Sequence, residues 1–214
     1  MKLIGMLDSP YVRRVAISLQ MLGLPFEHQS LSVFRTFDAF SRINPVVKAP
    51  TLVCDDGEVM MDSTLILEYA QALAHPRSLV PAQPKALQHA LCVLGYALAA
   101  CEKSVQIVYE RGVRPPEKQH APWVERVTAQ ARAAYDALEA DLARGGLGAD
   151  GAAFGQAELT TAVCWHFTQR TIPDVVPAAA YPRLCAFSLA AEARAEFRAA
   201  PHGDGTVAAR AADA

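Results

Sequence analysis

Two hydrophobic rhythms divide this chain. Up to Pro76, short strand-like apolar runs alternate with apolar residues at helical spacing; beyond it Ala and Leu dominate and the strand-like alternation stops. Lys2 to Leu7 reads as a buried strand, broken by Asp8, Ser9 and Pro10. Val12, Val15, Ala16, Leu19 and Leu22 follow helical spacing, closed by Gly23 and Pro25. Phe26 to Val33 reads as a second strand, and Phe37 to Ile43 as a short helix stopped by Asn44-Pro45. Pro50 to Cys54, the turn Asp55-Asp56-Gly57 and Glu58 to Met61 read as a hairpin. A helix over Ser63 to Leu73 completes the order β-α-β-α-β-β-α.

Strands separated by a helix are expected to be parallel, and the hairpin pair antiparallel. A four-stranded mixed sheet ringed by helices is a thioredoxin-like arrangement. After it, Pro76, Pro81 and Pro84 mark a connector. Four helical blocks follow: Lys85 to Arg111, Pro122 to Arg144, Gln156 to Arg170 and Tyr181 to Ala199. The expected organisation is an α/β thioredoxin-like domain over 1–76, a linker over 77–84, an all-α domain over 85–200 and a mobile tail over 201–214.

Composition removes several function classes. The net charge is -2 with no basic run, so there is no electrostatic case for nucleic acid. The five cysteines, Cys54, Cys92, Cys101, Cys164 and Cys185, show no CxxC spacing. A disulfide framework or zinc site is therefore not expected, and a reducing cytoplasm suits them. The six histidines are dispersed, so no metal is expected. The apolar run Leu91 to Cys101 falls short of the ~20 residues a membrane span needs and reads as a buried helix. The expectation is a soluble cytoplasmic protein with no membrane partner.

Three turns carry the chemistry. The first is Asp8-Ser9-Pro10-Tyr11-Val12-Arg13-Arg14, which puts two positive charges at the already positive end of a helix. That is unfavourable unless an anion binds there. Ser9 with Pro10 is also a common helix start, and the two roles are compatible. A thiolate is one anion such a site suits, since helix N-termini lower a thiol pKa from roughly 8.5. Thioredoxin-like redox proteins carry Cys-Xaa-Xaa-Cys at this turn. Here Ser9 and Val12 replace both sulfurs, which excludes dithiol exchange by the turn. The second turn is Val47-Lys48-Ala49-Pro50. Its proline can simply start a strand; alternatively a cis Ala49–Pro50 bond frees the Ala49 backbone to pair with an extended peptide, with Lys48 beside it. The third, Asp62-Ser63, is a helix cap that can also hold a carboxylate on Ser63 and an ammonium on Asp62. A thiolate site, a peptide-backbone site and an amino-acid site together match glutathione.

Ser9-Pro10-Tyr11 with Arg13 and Arg14, Asn44-Pro45 with Lys48-Ala49-Pro50, and Asp62-Ser63 with Ile66 and Tyr69 resemble a cytosolic glutathione S-transferase, a bacterial serine-type member, over essentially the whole chain. The resemblance implies the glutathione transferase fold, a thioredoxin-like domain followed by an all-α domain, in a homodimer. It implies that Ser9 is catalytic and stabilises the glutathione thiolate. Ala49 would pair with the cysteinyl unit before the cis-proline Pro50, Lys48 would contact the glycyl end, and Asp62 with Ser63 would grip the γ-glutamyl group. The implied reaction conjugates glutathione, as co-substrate, to a small hydrophobic electrophile in detoxification. Alternatives are a ligand carrier or partner-binding module on the same fold, or a glutathione-dependent isomerase or dehalogenase. Tyr11, Arg13 and Tyr109 are candidates for the electrophile pocket. Trp165 and His166 suit packing, and Cys54 suits inert core.

Two departures stand out. The capping box expected on a core helix of the second domain reads Gly155-Gln156-Ala157-Glu158, which loses one reciprocal bond. The Ser-Ser-Cys signature of zeta-type isomerases is replaced by Ser9-Pro10-Tyr11.

Overall fold

The computed structural model of the chain describes residues 1–148 and 154–208. They form two compact units: Met1–Leu79 with the chain from Glu192 onward, and Val80–Ala191.

In the first unit the described strands are β1 (Lys2–Ile4), β2 (Glu27–Gln29), β3 (Thr51–Val53) and β4 (Val59–Met61), in the order β2-β1-β3-β4. β1 pairs parallel with β2 and antiparallel with β3, and β3–β4 is the expected antiparallel hairpin. The helices are α1 (Pro10–Leu22), α2 (Phe37–Ser41) and α3 (Ser63–Ala74). β1 stops at Ile4, short of the expected Leu7, because Gly5 takes φ +137°, which ends the extended run. β2 is also shorter than the expected Phe26 to Val33. Ser32 Oγ accepts from the Phe34 and Arg35 N–H groups at 3.2 and 3.0 Å, and this side-chain turn pulls the backbone away from the ladder.

α1 is buried along almost its whole length. Gly23 closes it in the left-handed region at φ 73°, with Gly23 N–H donating to Gln20 O and Leu24 N–H to Leu19 O, both at 3.0 Å. Its apolar residues Val12, Val15, Ala16 and Leu19 are fully buried with Leu3, Ile4 and Leu52 of the sheet and Ile66 of α3.

The second unit holds α4 (Pro84–Gly112), α5 (Ala121–Ala143), α6 (Gln156–Thr171) and most of α7 (Pro182–Glu192). By length and composition α4 is apolar enough to cross a membrane. Its apolar stripe of Val93, Ala97, Ala100 and Ile107 is buried in a core shared with α5 and α6. Tyr135 lies edge-on to Trp165 and Tyr181 at ring separations of 5.1 and 6.2 Å. Its hydroxyl is held by Thr168 Oγ1 at 2.6 Å and by the Cys164 carbonyl at 3.1 Å. Gly155 N–H donates to Glu158 Oε2 at 2.9 Å, so α6 keeps half of a capping box; glycine has no side chain to return the other half.

The fourth helical block, expected over Tyr181 to Ala199, is two helices. Arg194 is extended (φ -70°, ψ 150°) between α7 and α8 (Ala195–Ala199). The break drops the fully buried Phe197 against α1, where the Arg13 guanidinium lies 5.5 Å from its ring centre. The chain from Glu192 onward therefore groups with the sheet, where the sequence reading put residues up to 200 in the helical domain. The expected mobile tail is bonded along its described part, 201–208. Ser30 Oγ donates to Asp204 O at 2.7 Å, Val207 N–H to His28 Nδ1 at 3.1 Å and Ala208 N–H to Ala199 O at 2.8 Å. Residues 209–214 lie outside the described residues.

Candidate functional site

Ser9 is the N-cap of α1, with Pro10 in its first turn and no acidic residue there. Its Oγ accepts from Val12 N–H at 3.4 Å, a long and weak capping bond. Because the hydroxyl acts as acceptor in that bond, its own proton is available to donate to a ligand. The helix end adds a partial positive charge of about half an electron. A hydroxyl donor with this field behind it is a site for an anion.

The preceding loop is tightly defined. Gly5 has φ +137°, and a Cβ there would meet Val12 Cγ2 at 2.6 Å and Ala49 Cβ at 3.1 Å. The Ser9 turn and the Ala49 turn are thus in close contact through a residue that must be glycine. Burial pushes the Asp8 carboxyl above its usual value, against the pull of His202, the Ser9 N–H and Arg35.

Ala49–Pro50 is a cis peptide bond, the alternative that the family resemblance implied. Asn44, read in the sequence as a helix stop and as part of the family motif, is a buried bracket for this turn. Its Nδ2 donates to Thr51 Oγ1 at 2.9 Å and its Oδ1 accepts from Val46 N–H at 3.0 Å, while Thr51 Oγ1 donates to Lys48 O at 2.7 Å. Val47 sits at φ 53° and Asp62 at φ 69°, the two left-handed non-glycine residues among those described. Such backbone costs on the order of 1–3 kcal/mol and persists where surrounding contacts over-determine it. Here both residues flank the same site.

Asp62 caps α3, its Oδ1 accepting from Thr64 N–H at 2.9 Å, and its Oδ2 lies 3.5 Å from Lys48 Nζ. Both side chains of that ion pair are about half exposed, so it is worth little by itself and can open for a ligand. Ser63 is buried, and its Oγ accepts from Arg14 Nη1 at 3.0 Å; the same nitrogen lies 3.4 Å from Thr64 Oγ1. Arg14 therefore carries a full positive charge to the start of α3, a second helix end suited to an anion.

Arg13 goes elsewhere, which corrects its expected place in the electrophile pocket. It is 1% exposed. Its Nη1 and Nη2 hold Glu192 Oε1 and Oε2 at 2.6 Å each, and its Nε donates to Ala200 O at 2.8 Å. Residues 13 and 14 differ by about 100° around a helix, so burying one against α8 turns the other toward α3. Two residues that the sequence reading did not place at this site follow from this: Thr64, and Arg14 as the partner of Ser63. Tyr11 is half-buried in the first turn of α1, and Tyr109 is exposed on α4 of the second unit. Trp165 is core. Cys54 is buried, and burial pushes its thiol pKa up, consistent with an inert residue. No group of three or more metal-ligating side chains occurs among the described residues.

Family models described as glutathione S-transferase, N-terminal domain and C-terminal domain match residues 3–78 and 121–188. The chain belongs to the glutathione S-transferase family. It is 27% identical over 173 residues to YibF, an uncharacterized GST-like protein of Escherichia coli K12, covering 81% of this chain and 85% of that one. A glutathione S-transferase from Methylobacterium radiotolerans, solved with glutathione sulfonate, superposes with a TM-score of 0.82 at 25% identity over 92% of both chains. A glutathione transferase family member from Pseudomonas fluorescens Pf-5, solved with bound glutathione, gives 0.81 at 28% identity over 93% of this chain and 97% of that one.

Proposed function

We propose that this chain is a serine-type glutathione transferase that stabilises the glutathione thiolate at Ser9 and conjugates it to a small hydrophobic electrophile. The observation that carries the reading is the Arg14–Ser63 bond of 3.0 Å. It ties the anion-binding ends of α1 and α3 into one frame, and Lys48, Ala49 and Asp62 border it. The Ser9 O–H donates to the sulfur, the Ala49 backbone pairs with the cysteinyl unit, Lys48 takes the glycyl carboxylate, and Ser63 with Asp62 takes the glutamyl head. Stabilising the thiolate before reaction raises the fraction of reactive nucleophile, and holding it in place supplies proximity. No general base beyond this frame is required. Tyr11, in the first turn of α1, is the aromatic candidate on this unit for contact with the electrophile.

Homodimerisation belongs to the same proposal. Val59 and Met61 on β4 and Leu65 on α3 expose an apolar patch at 44%, 36% and 55%, suited to a second copy. Five free cysteines support a reducing, cytoplasmic setting. The deciding experiment is an ultraviolet titration of the thiol of bound glutathione. A pKa well below roughly 8.5, together with formation of a thioether product from an aryl halide or enone, supports the reading. Tight binding with an unshifted thiol and no product would make the chain a carrier.

A further inference from the structure

His28 on β2 makes two bonds that fix its tautomer. Nε2 bonds to Gly5 O at 2.8 Å and must donate, while Nδ1 accepts from Val207 N–H at 3.1 Å. One imidazole thus joins the C-terminal segment to the loop that leads into Ser9. Gly5 also donates its N–H to Gln29 O at 3.1 Å, so both of its backbone polar groups are held by β2. On its other side Gly5 lies against Val12 and Ala49 with no room for a Cβ. Val12 supplies the N–H that caps on Ser9, and Ala49 precedes the cis-proline.

We propose that residues 201–208 form a strap that sets the thiol-site loop, and that His28 is the positioning residue that latches it. The inference rests on the glutathione-site reading above. The latch holds only while the imidazole is neutral. A protonated His28 has donors on both nitrogens, so Nδ1 would then face the Val207 N–H donor to donor. The charged groups on the surrounding elements are Lys2, Asp8, Glu27, Arg35, His202 and Asp204. They are engaged with one another: Lys2 with Glu27 at 3.3 Å, Arg35 with Asp204 at 3.9 Å, and Asp8 in the fields of His202 and Arg35. Burial lowers the His28 pKa below 6.5, against the opposing effect of the Gly5 carbonyl. The latched state thus binds fewer protons than the released one, so latching is complete above pH 6.5, weakens as pH falls below it, and is gone below the latched pKa.

The test is amide hydrogen exchange on the full chain at pH 7 and pH 5, in wild type, His28→Gln and His28→Ala, with glutathione affinity measured alongside by calorimetry. A glutamine carboxamide offers an acceptor and a donor at a similar spacing and does not titrate. In wild type, the Val207 protection factor should fall between pH 7 and pH 5, with Ser9 and Val12 following while α5 amides hold. His28→Gln should keep protection at both pH values, and His28→Ala should lose it at both. Glutathione affinity should fall wherever the Ser9 amide loses protection. Equal Val207 protection at the two pH values in wild type would overturn the latch. Loss at Val207 with Ser9 and Val12 unmoved would overturn its link to the site. Failure of wild type to bind glutathione at pH 7 would sink the transferase reading instead, with the amide measurement still standing. Should His28→Ala not fold, wild type against His28→Gln decides.

Discussion

Arg14 Nη1 lies 3.0 Å from Ser63 Oγ, 49 residues away in the chain. The bond joins the second turn of α1 to the first turn of α3, two helices whose N-termini both suit anions. It also explains why two arginines follow Ser9: they serve different faces of α1. Arg14 supports the ligand frame, and Arg13 anchors the chain end through Glu192 and Ala200.

Arg14→Met keeps most of the apolar stem and removes the donor. A hydrogen bond from a charged group contributes about 1.5–3 kcal/mol. Part of this should appear as a lower denaturation midpoint, and glutathione binding, measured by calorimetry, should weaken by less than the roughly 10- to 150-fold that the whole energy would give. Thr64→Val, which removes the longer 3.4 Å contact, should have a smaller effect. Equal effects would mean that the two hydroxyls share the guanidinium evenly.

Ser9→Ala should separate binding from chemistry. The bound thiol pKa should return toward roughly 8.5, and kcat should drop about 10²-fold, as for loss of one donor to a developing anion. The glutathione Kd should change only a few-fold. The capping bond is long, at 3.4 Å, so the stability cost should sit near the low end of the usual range, about 0.5 kcal/mol. Unchanged turnover with several electrophiles would remove Ser9 from the mechanism.

Asp62→Asn isolates charge from capping. Asparagine is an equally good N-cap and tolerates the φ of 69° that Asp62 adopts. The thermal midpoint should stay within about a degree or two, since surface changes of this kind cost under ~0.5 kcal/mol. Glutathione affinity should fall, because the ammonium of its glutamyl head loses its counter-charge. Affinity preserved in Asp62→Asn would place that ammonium elsewhere.

Glu192→Gln leaves the Arg13 guanidinium buried without its carboxylate. Breaking a buried pair at one end costs roughly 3–5 kcal/mol, read as a lower denaturation midpoint in urea. The double replacement Arg13→Met with Glu192→Leu should be milder, since it removes both charges and keeps the bulk. If Glu192→Gln were neutral, the other Arg13 contacts, with Ala200 and Phe197, would have to offset the lost carboxylate.

The elements near the site were legible in the sequence because their signals are local. Apolar spacing marked α1 and α3, and caps at Ser9 and Asp62 with Gly23 at the far end bounded them within a turn or two. The candidate site residues could be named because each sits on a short motif whose geometry its neighbours dictate. Where local rules failed, a contact from far along the chain had won. β1 stops early because Gly5 must lie against Val12 and Ala49. α7 and α8 separate at Arg194 so that Phe197 and Glu192 can reach Arg13. The division of labour between Arg13 and Arg14 depends on partners 179 and 49 residues away, and no periodicity reports such distances. The same holds for the C-terminal segment. Its composition offers little to bury and so reads as loose, yet its backbone is seated by the His28 imidazole, the Ser30 hydroxyl and the Ala199 carbonyl, partners that lie far away in sequence or carry no local signal.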